Sequence, residues 1–138
     1  MEQPVWACGS HERFDSFCAS LKDRTKLIAV SHTDVDGIGS AKIIDAALQA
    51  DTVHLVEYHE VTSELVERLE SEQPSHVVIS DLGLKKEFIE QLARFARVLV
   101  IDHHQVSEDF NSERVTLMNA QGMCATYLAW FLLKGVRD

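Results

Sequence analysis

Glycine and proline are scarce, with 6 and 2 among 138 residues, which excludes collagenous, linker-like and low-complexity chains. The three cysteines, Cys8, Cys18 and Cys124, are odd in number, widely spaced and form no CxxC pair. That excludes a disulfide framework and a zinc ribbon, and fits a reducing cytoplasm. No apolar run approaches the ~18 residues of a membrane span. The start, MEQPVWACGSHERFD, puts acidic residues where a signal peptide needs a basic flank. Positive charge is in deficit: 13 Lys and Arg against 22 Asp and Glu give a formal charge of -9. Such a surface opposes phosphate backbones unless bound cations offset it.

What is present is a globular composition, 46% hydrophobic and 25% charged, of a size that makes one domain. Four short β-branched runs, Leu27 to Val30, Val53 to Val56, Val77 to Ile79 and Val98 to Ile101, are too short for helices and predict buried strands. Between them lie helix-like segments. Gly39 to Ala50 is rich in Ala, Ile and Leu; Val61, Leu65, Val66 and Leu69 form one helical stripe, and Phe88, Ile89, Leu92, Ala93 and Ala96 another. Val115 to Met118 predicts a fifth strand leading into a helix from Gly122 to Lys134, and Ser10 to Leu21 a preceding helix. The alternation predicts a doubly wound α/β domain, a mostly parallel five-stranded sheet with helices on both faces. It divides the chain into an N-terminal helical segment, 1–25, and the α/β domain, 26–138.

Ligands in such folds bind beyond the carboxyl ends of the strands, so polar residues just after a strand carry the functional weight. After the first strand stands SHTDVDGIGSA with His32, Asp34 and Asp36; after the third, ISDLG with Asp81; after the fourth, IDHH with Asp102, His103 and His104. Parallel topology brings these clusters to one edge. Four carboxylates held together repel one another without a cation, and carboxylate oxygens mixed with imidazole suit Mn²⁺, Mg²⁺ or Zn²⁺. Two such ions can lower the pKa of a shared water and clamp phosphoryl oxygens, which predicts metal-assisted phosphoester hydrolysis. Singly, Asp34, Asp81 and Asp102 read equally well as turn or helix-capping residues; together they do not. His11, His54, His59 and His76 read as surface or strand-end histidines, and Cys124 as a small buried residue.

HTDVDG, SDLG and DHH in this order resemble the DHH phosphoesterase superfamily, over roughly Lys26 to Leu133, and the form HxDxDGIxSA looks more like its RecJ-like single-strand exonuclease branch than the family II pyrophosphatases. By position, the resemblance implies His32 and Asp34 on one metal, Asp36 and His103 on the other, and Asp81 bridging. It places His104 on substrate phosphate, Asp102 behind a histidine, and Gly122 at a helix start that meets a phosphate. The implied cofactor is a pair of divalent ions, Mn²⁺ first and Mg²⁺ second. The implied substrate is single-stranded nucleic acid or a short oligonucleotide. Cyclic-dinucleotide phosphodiesterase, inorganic pyrophosphatase and a non-catalytic binding or assembly module are the alternatives. The family takes a further metal-binding aspartate from a strand beyond the last helix, and has a smaller C-terminal lobe. Asp109 and Asp138 are poor replacements for that aspartate, so the resemblance implies a domain incomplete at its C-terminus, completed by a further lobe or a partner subunit.

Overall fold

The computed structural model describes residues 3–136. Five strands, β1 (Leu27–His32), β2 (Thr52–Val56), β3 (His76–Ser80), β4 (Arg97–Asp102) and β5 (Val115–Asn119), form one sheet in the order β2-β1-β3-β4-β5. All four pairings are parallel. The sheet is thus wholly parallel, beyond the mostly parallel expectation; an isolated antiparallel bridge, Cys8 to Asn119, adds one contact beside it. The β-branched runs become strands, with β1, β3 and β5 almost entirely inaccessible as parallel sheets require; β2, expected to be buried, is the edge strand and exposes Val53 and Leu55.

Successive residues of each strand point to opposite faces and build two cores. On one face Ile28, Val30, Val77, Ile79, Val98 and Val100 pack with Leu65, Val66 and Leu69 of α3 (Ser63–Ser71) and Ile89 and Leu92 of α4 (Lys86–Ala93). On the other, Leu27, Ala29, Val78, Leu99 and Ile101 pack with α1 (His11–Ser20), α2 (Val35–Leu48) and α5 (Ala125–Leu133). Phe14 and Phe17 of α1 belong to this second core, so the N-terminal helical segment is built into the body of the domain.

Two helix boundaries differ from the sequence-based expectation. α2 begins at Val35, not Gly39, because Asp34 caps it by accepting the Gly37 N–H at 2.7 Å. α5 begins at Ala125, not Gly122; Gly122 lies in the preceding turn with φ of +86°. Cys124, expected to be buried, is exposed immediately before α5, and Trp130 is exposed with the Lys134 ammonium 4.9 Å from its ring centre.

The strand order reverses between β1 and β3, and the crevice beyond their carboxyl ends is where such sheets place ligands. Hydroxyl groups lock this point. Ser31 Oγ lies 2.8 Å from the Gly37 carbonyl oxygen and 2.9 Å from that of Ser80, while Ser40 Oγ is 2.8 Å from Ser80 Oγ. Gly37 permits the close approach: a Cβ there would stand 1.9 Å from the His32 carbonyl oxygen. Helix propensity alone would make Gly37→Ala stabilising by about 1 kcal/mol, yet a clash with backbone cannot be relieved by a rotamer change. Net destabilisation by about 1–3 kcal/mol is expected, read as a lower urea midpoint; an unchanged midpoint would refute the packing role of Gly37.

Candidate metal centre

The three polar clusters do converge. His32 ends β1, Asp34 and Asp36 open α2, Asp81 follows β3, Asp102 ends β4, and His103 and His104 follow it. Two groups have ligand atoms within 4.8 Å of one another: His32, Asp34 and Asp81, and Asp81, Asp102, His103 and His104. Asp81 belongs to both.

Asp81 is 3% exposed and has a left-handed backbone, φ 56°, a conformation that aspartate and asparagine tolerate better than most residues. Its Oδ1 meets His103 Nε2 at 3.0 Å, while Oδ2 is buried without a hydrogen-bond partner. Burial, and then the neighbouring Asp34 carboxylate, push its carboxyl up to about 7, against the pull of His103. A buried oxygen without a partner costs free energy unless a proton or a cation supplies one. The donor set fits a divalent ion: carboxylates and imidazoles in hard-ligand proportion, with one carboxylate common to two groups.

Asp34 is subject to the opposite balance. Burial would raise its carboxyl, but the Gly37 N–H, Asp81 and His32 more than offset this and hold it below the ordinary range. His32 Nδ1 stands 3.0 Å from Asp34 Oδ2. His104 Nδ1 stands 2.6 Å from Asp102 Oδ1; Asp102 is buried, and the His104 side chain is 41% exposed. The two adjacent imidazole rings lie 4.5 Å apart.

Asp36 departs from the simple ligand picture. Its Oδ2 accepts the Ala125 N–H at 2.9 Å, and its Oδ1 accepts the Thr126 N–H and hydroxyl, each at 2.8 Å. Burial opposes its charge, yet Thr126 and Ala125 outweigh burial and keep its carboxyl below the ordinary range. It lies outside both ligand groups, although Oδ2 is 3.5 Å from His103 Nε2. The N–H groups expected to meet a phosphate at the last helix are therefore donated to Asp36 instead, and Gly122 stands three residues before that helix.

Four residues at the site escaped the reading of the sequence. Thr126 holds Asp36. Asn119, the last residue of β5, donates from Nδ2 to the His104 carbonyl at 2.8 Å. Glu57 and Tyr58 follow β2: Glu57 Oε2 lies 3.8 Å from His32 Nε2 and its Oε1 accepts from the Thr33 hydroxyl, while the Tyr58 ring centre is 5.1 Å from that of His32. The rule that polar residues after strands matter covers three of these, applied to β2 and β5 as well as to the strands with conspicuous motifs. Asp109 stands in the loop before β5, where it accepts from Asn111 at 2.9 Å, and Asp138 lies outside the described residues.

The sequence matches the DHH family, N-terminal domain, over residues 26–137. The chain belongs to the DHH family. Among solved structures, exonuclease RecJ bound to manganese is similar with a TM-score of 0.68 and 23% identity, over 96% of this chain and 37% of that one. RecJ from Thermus thermophilus in complex with Mn²⁺ is similar with a TM-score of 0.60 and 22% identity, over 89% of this chain and 20% of that one. These likenesses show the fold, and the chain spans well under half the length of either nuclease. No curated protein matches it.

The state of Asp81 in this DHH domain has a measurable consequence. A carboxyl raised from 3.8 to about 7 on folding binds more protons folded than unfolded, so stability falls as pH rises between those values. Chelator-treated protein is expected to lose thermal stability from pH 5 to pH 7.5, and Asp81→Asn to flatten that loss. Because asparagine keeps the backbone and removes the charge, its Tm at pH 7.5 should exceed the parent's by about 3 °C. The same variant should lose the Tm gain that Mn²⁺ gives the parent. A parallel pH dependence in both proteins would show that Asp81 does not carry the effect.

Proposed function

We propose that this domain is the metal-binding half of a phosphoesterase, hydrolysing phosphodiester bonds of single-stranded nucleic acid or short oligonucleotides in the cytoplasm with two divalent ions, Mn²⁺ foremost. The observation that carries the reading is the single buried carboxylate, Asp81, shared by two groups of ligands whose ligand atoms lie within 4.8 Å. Membership of the DHH family and the fold shared with manganese-bound nucleases support it. Among the described residues no helix is long and apolar enough to cross a membrane.

In this reading His32 and Asp34 would hold one cation and His103 the other, Asp36 would join His103 through a lone pair that the α5 donors leave on Oδ2, and Asp81 would serve both. Such a pair lowers the pKa of a water and offsets the charge of a phosphoryl group. The protein's own part is positional. Asp102 accepts from His104 Nδ1 and fixes the ring's orientation and tautomer. With Nδ1–H committed to Asp102, the Nε2 of His104 would donate to a phosphoryl oxygen, or pass a proton to it, in the imidazolium form of the ring. Asn119 holds the same residue from its backbone side. Asp36 anchors α5 to α2 through Ala125 and Thr126, so the ligand set and the last helix move together. Gly122, in the exposed turn before α5, offers backbone to a substrate arriving over that edge. The formal charge of -9 favours a short substrate or further binding surface beyond this domain.

The test is hydrolysis of a single-stranded oligonucleotide of about five nucleotides, with Mn²⁺ and with chelator, beside calorimetric Mn²⁺ titration. Two sites per chain and chelator-sensitive cleavage are expected. His103→Ala should reduce turnover about 100-fold or more, since even partners outside the coordination shell cost 10–100-fold, and His104→Gln should lower turnover with little change in Mn²⁺ affinity. Full activity in repurified His103→Ala, or no Mn²⁺ uptake, would overturn the assignment.

A further inference from the structure

Tyr58 stands where two observations meet. The strand order puts β2 and β3 on either side of β1. Tyr58 follows β2 by two residues and Gly83 follows β3 by three, yet the Gly83 N–H donates to the Tyr58 hydroxyl at 3.0 Å. A link between those segments has to pass over the carboxyl end of β1, and the residue there is His32. The Tyr58 ring lies against it, centres 5.1 Å apart and planes inclined at 52°. At the far end of the link, a Cβ on Gly83 would stand 3.2 Å from both Cβ and Cγ of His104. The backbone of Gly83 is thus packed directly against that side chain.

We propose that Tyr58 is a positioning residue that couples the two ends of the metal centre, its ring buttressing His32 and its hydroxyl holding Gly83 against His104. The proposal rests on the reading of this site as a phosphoesterase centre. It assigns separate tasks to the two parts of one side chain. The ring limits the orientations of His32 and so acts on metal affinity. The hydroxyl fixes the segment after β3 and so acts on His104. Tyr58 is 46% exposed and adds little to either core, so a role confined to packing would leave both properties untouched.

Tyr58→Phe keeps the ring and removes the acceptor; Tyr58→Leu removes both. In metal-free protein, Tyr58→Phe should speed hydrogen exchange of the Gly83 amide roughly five- to tenfold, since a net hydrogen bond of ordinary strength is lost. It should also shift or broaden the His104 ring resonances while leaving those of His32 in place. Mn²⁺ affinity by calorimetry should stay within about twofold of the parent, and kcat should fall roughly tenfold with KM little changed. Tyr58→Leu should add a loss of Mn²⁺ affinity of about tenfold. Unchanged Gly83 exchange in Tyr58→Phe, or equal Mn²⁺ affinities in the parent and Tyr58→Leu, would overturn the coupling. Should the parent cleave no oligonucleotide, the phosphoesterase reading fails by itself. Gly83 exchange and the His104 resonances, both read without metal or substrate, still decide the role of Tyr58.

Discussion

Asp81 is the point on which the rest of the site depends. A parallel sheet whose order reverses between β1 and β3 leaves one crevice, and the first residue beyond β3 has to stand in it. The left-handed backbone at Asp81 turns the chain there and aims a short carboxylate between two groups of ligands. Asparagine would tolerate the same backbone, but its amide supplies no charge to hold a cation. The environment makes the carboxyl difficult to ionise, through burial and the adjacent Asp34. A residue this unfavourable in the folded protein is accounted for by what it binds.

The second constraint is the bond between α2 and α5. Asp36 lies in the first turn of α2, and α5 aims its first N–H groups at it, so the negative charge meets the positive end of a helix dipole. That arrangement keeps Asp36 ionised while fixing its direction. It also explains why Gly39 lacks a side chain: a Cβ there would stand 2.7 Å from Thr126 Oγ1. The two glycines of GIGS thus answer to packing, Gly37 against β1 and Gly39 against α5.

The inner strands were legible because their β-branched runs are buried on both faces, which leaves a composition that neither helices nor loops share. The convergence of the candidate ligands was legible because parallel topology converts the order of the motifs into proximity. What could not be read was decided by contacts distant in sequence. Nothing in residues 122–126 announces that the last helix will cap an aspartate about ninety positions earlier, so Gly122 looked like a helix start and Cys124 like a core residue. Glu57 and Tyr58 follow a half-exposed edge strand with no motif of its own, and their relevance appears only once β2 is seen to lie beside β1.

Charge ties these features together. Asp34, Asp36, Asp81 and Asp102, with Glu57 at the rim, crowd one edge of a chain that is already acidic. The protein treats them unequally. Helix and backbone donors take the charge of Asp34 and Asp36, and His104 takes that of Asp102. The remaining burden falls on Asp81, which keeps its proton to about pH 7. That proton occupies the place of a cation: it neutralises the one carboxylate for which the fold provides too few donors. A divalent ion binding here would displace it, and metal affinity would then be linked to pH. Under the proposed function, a phosphoester would meet a site where bound cations offset the repulsion of these carboxylates, unlike the acidic surface elsewhere.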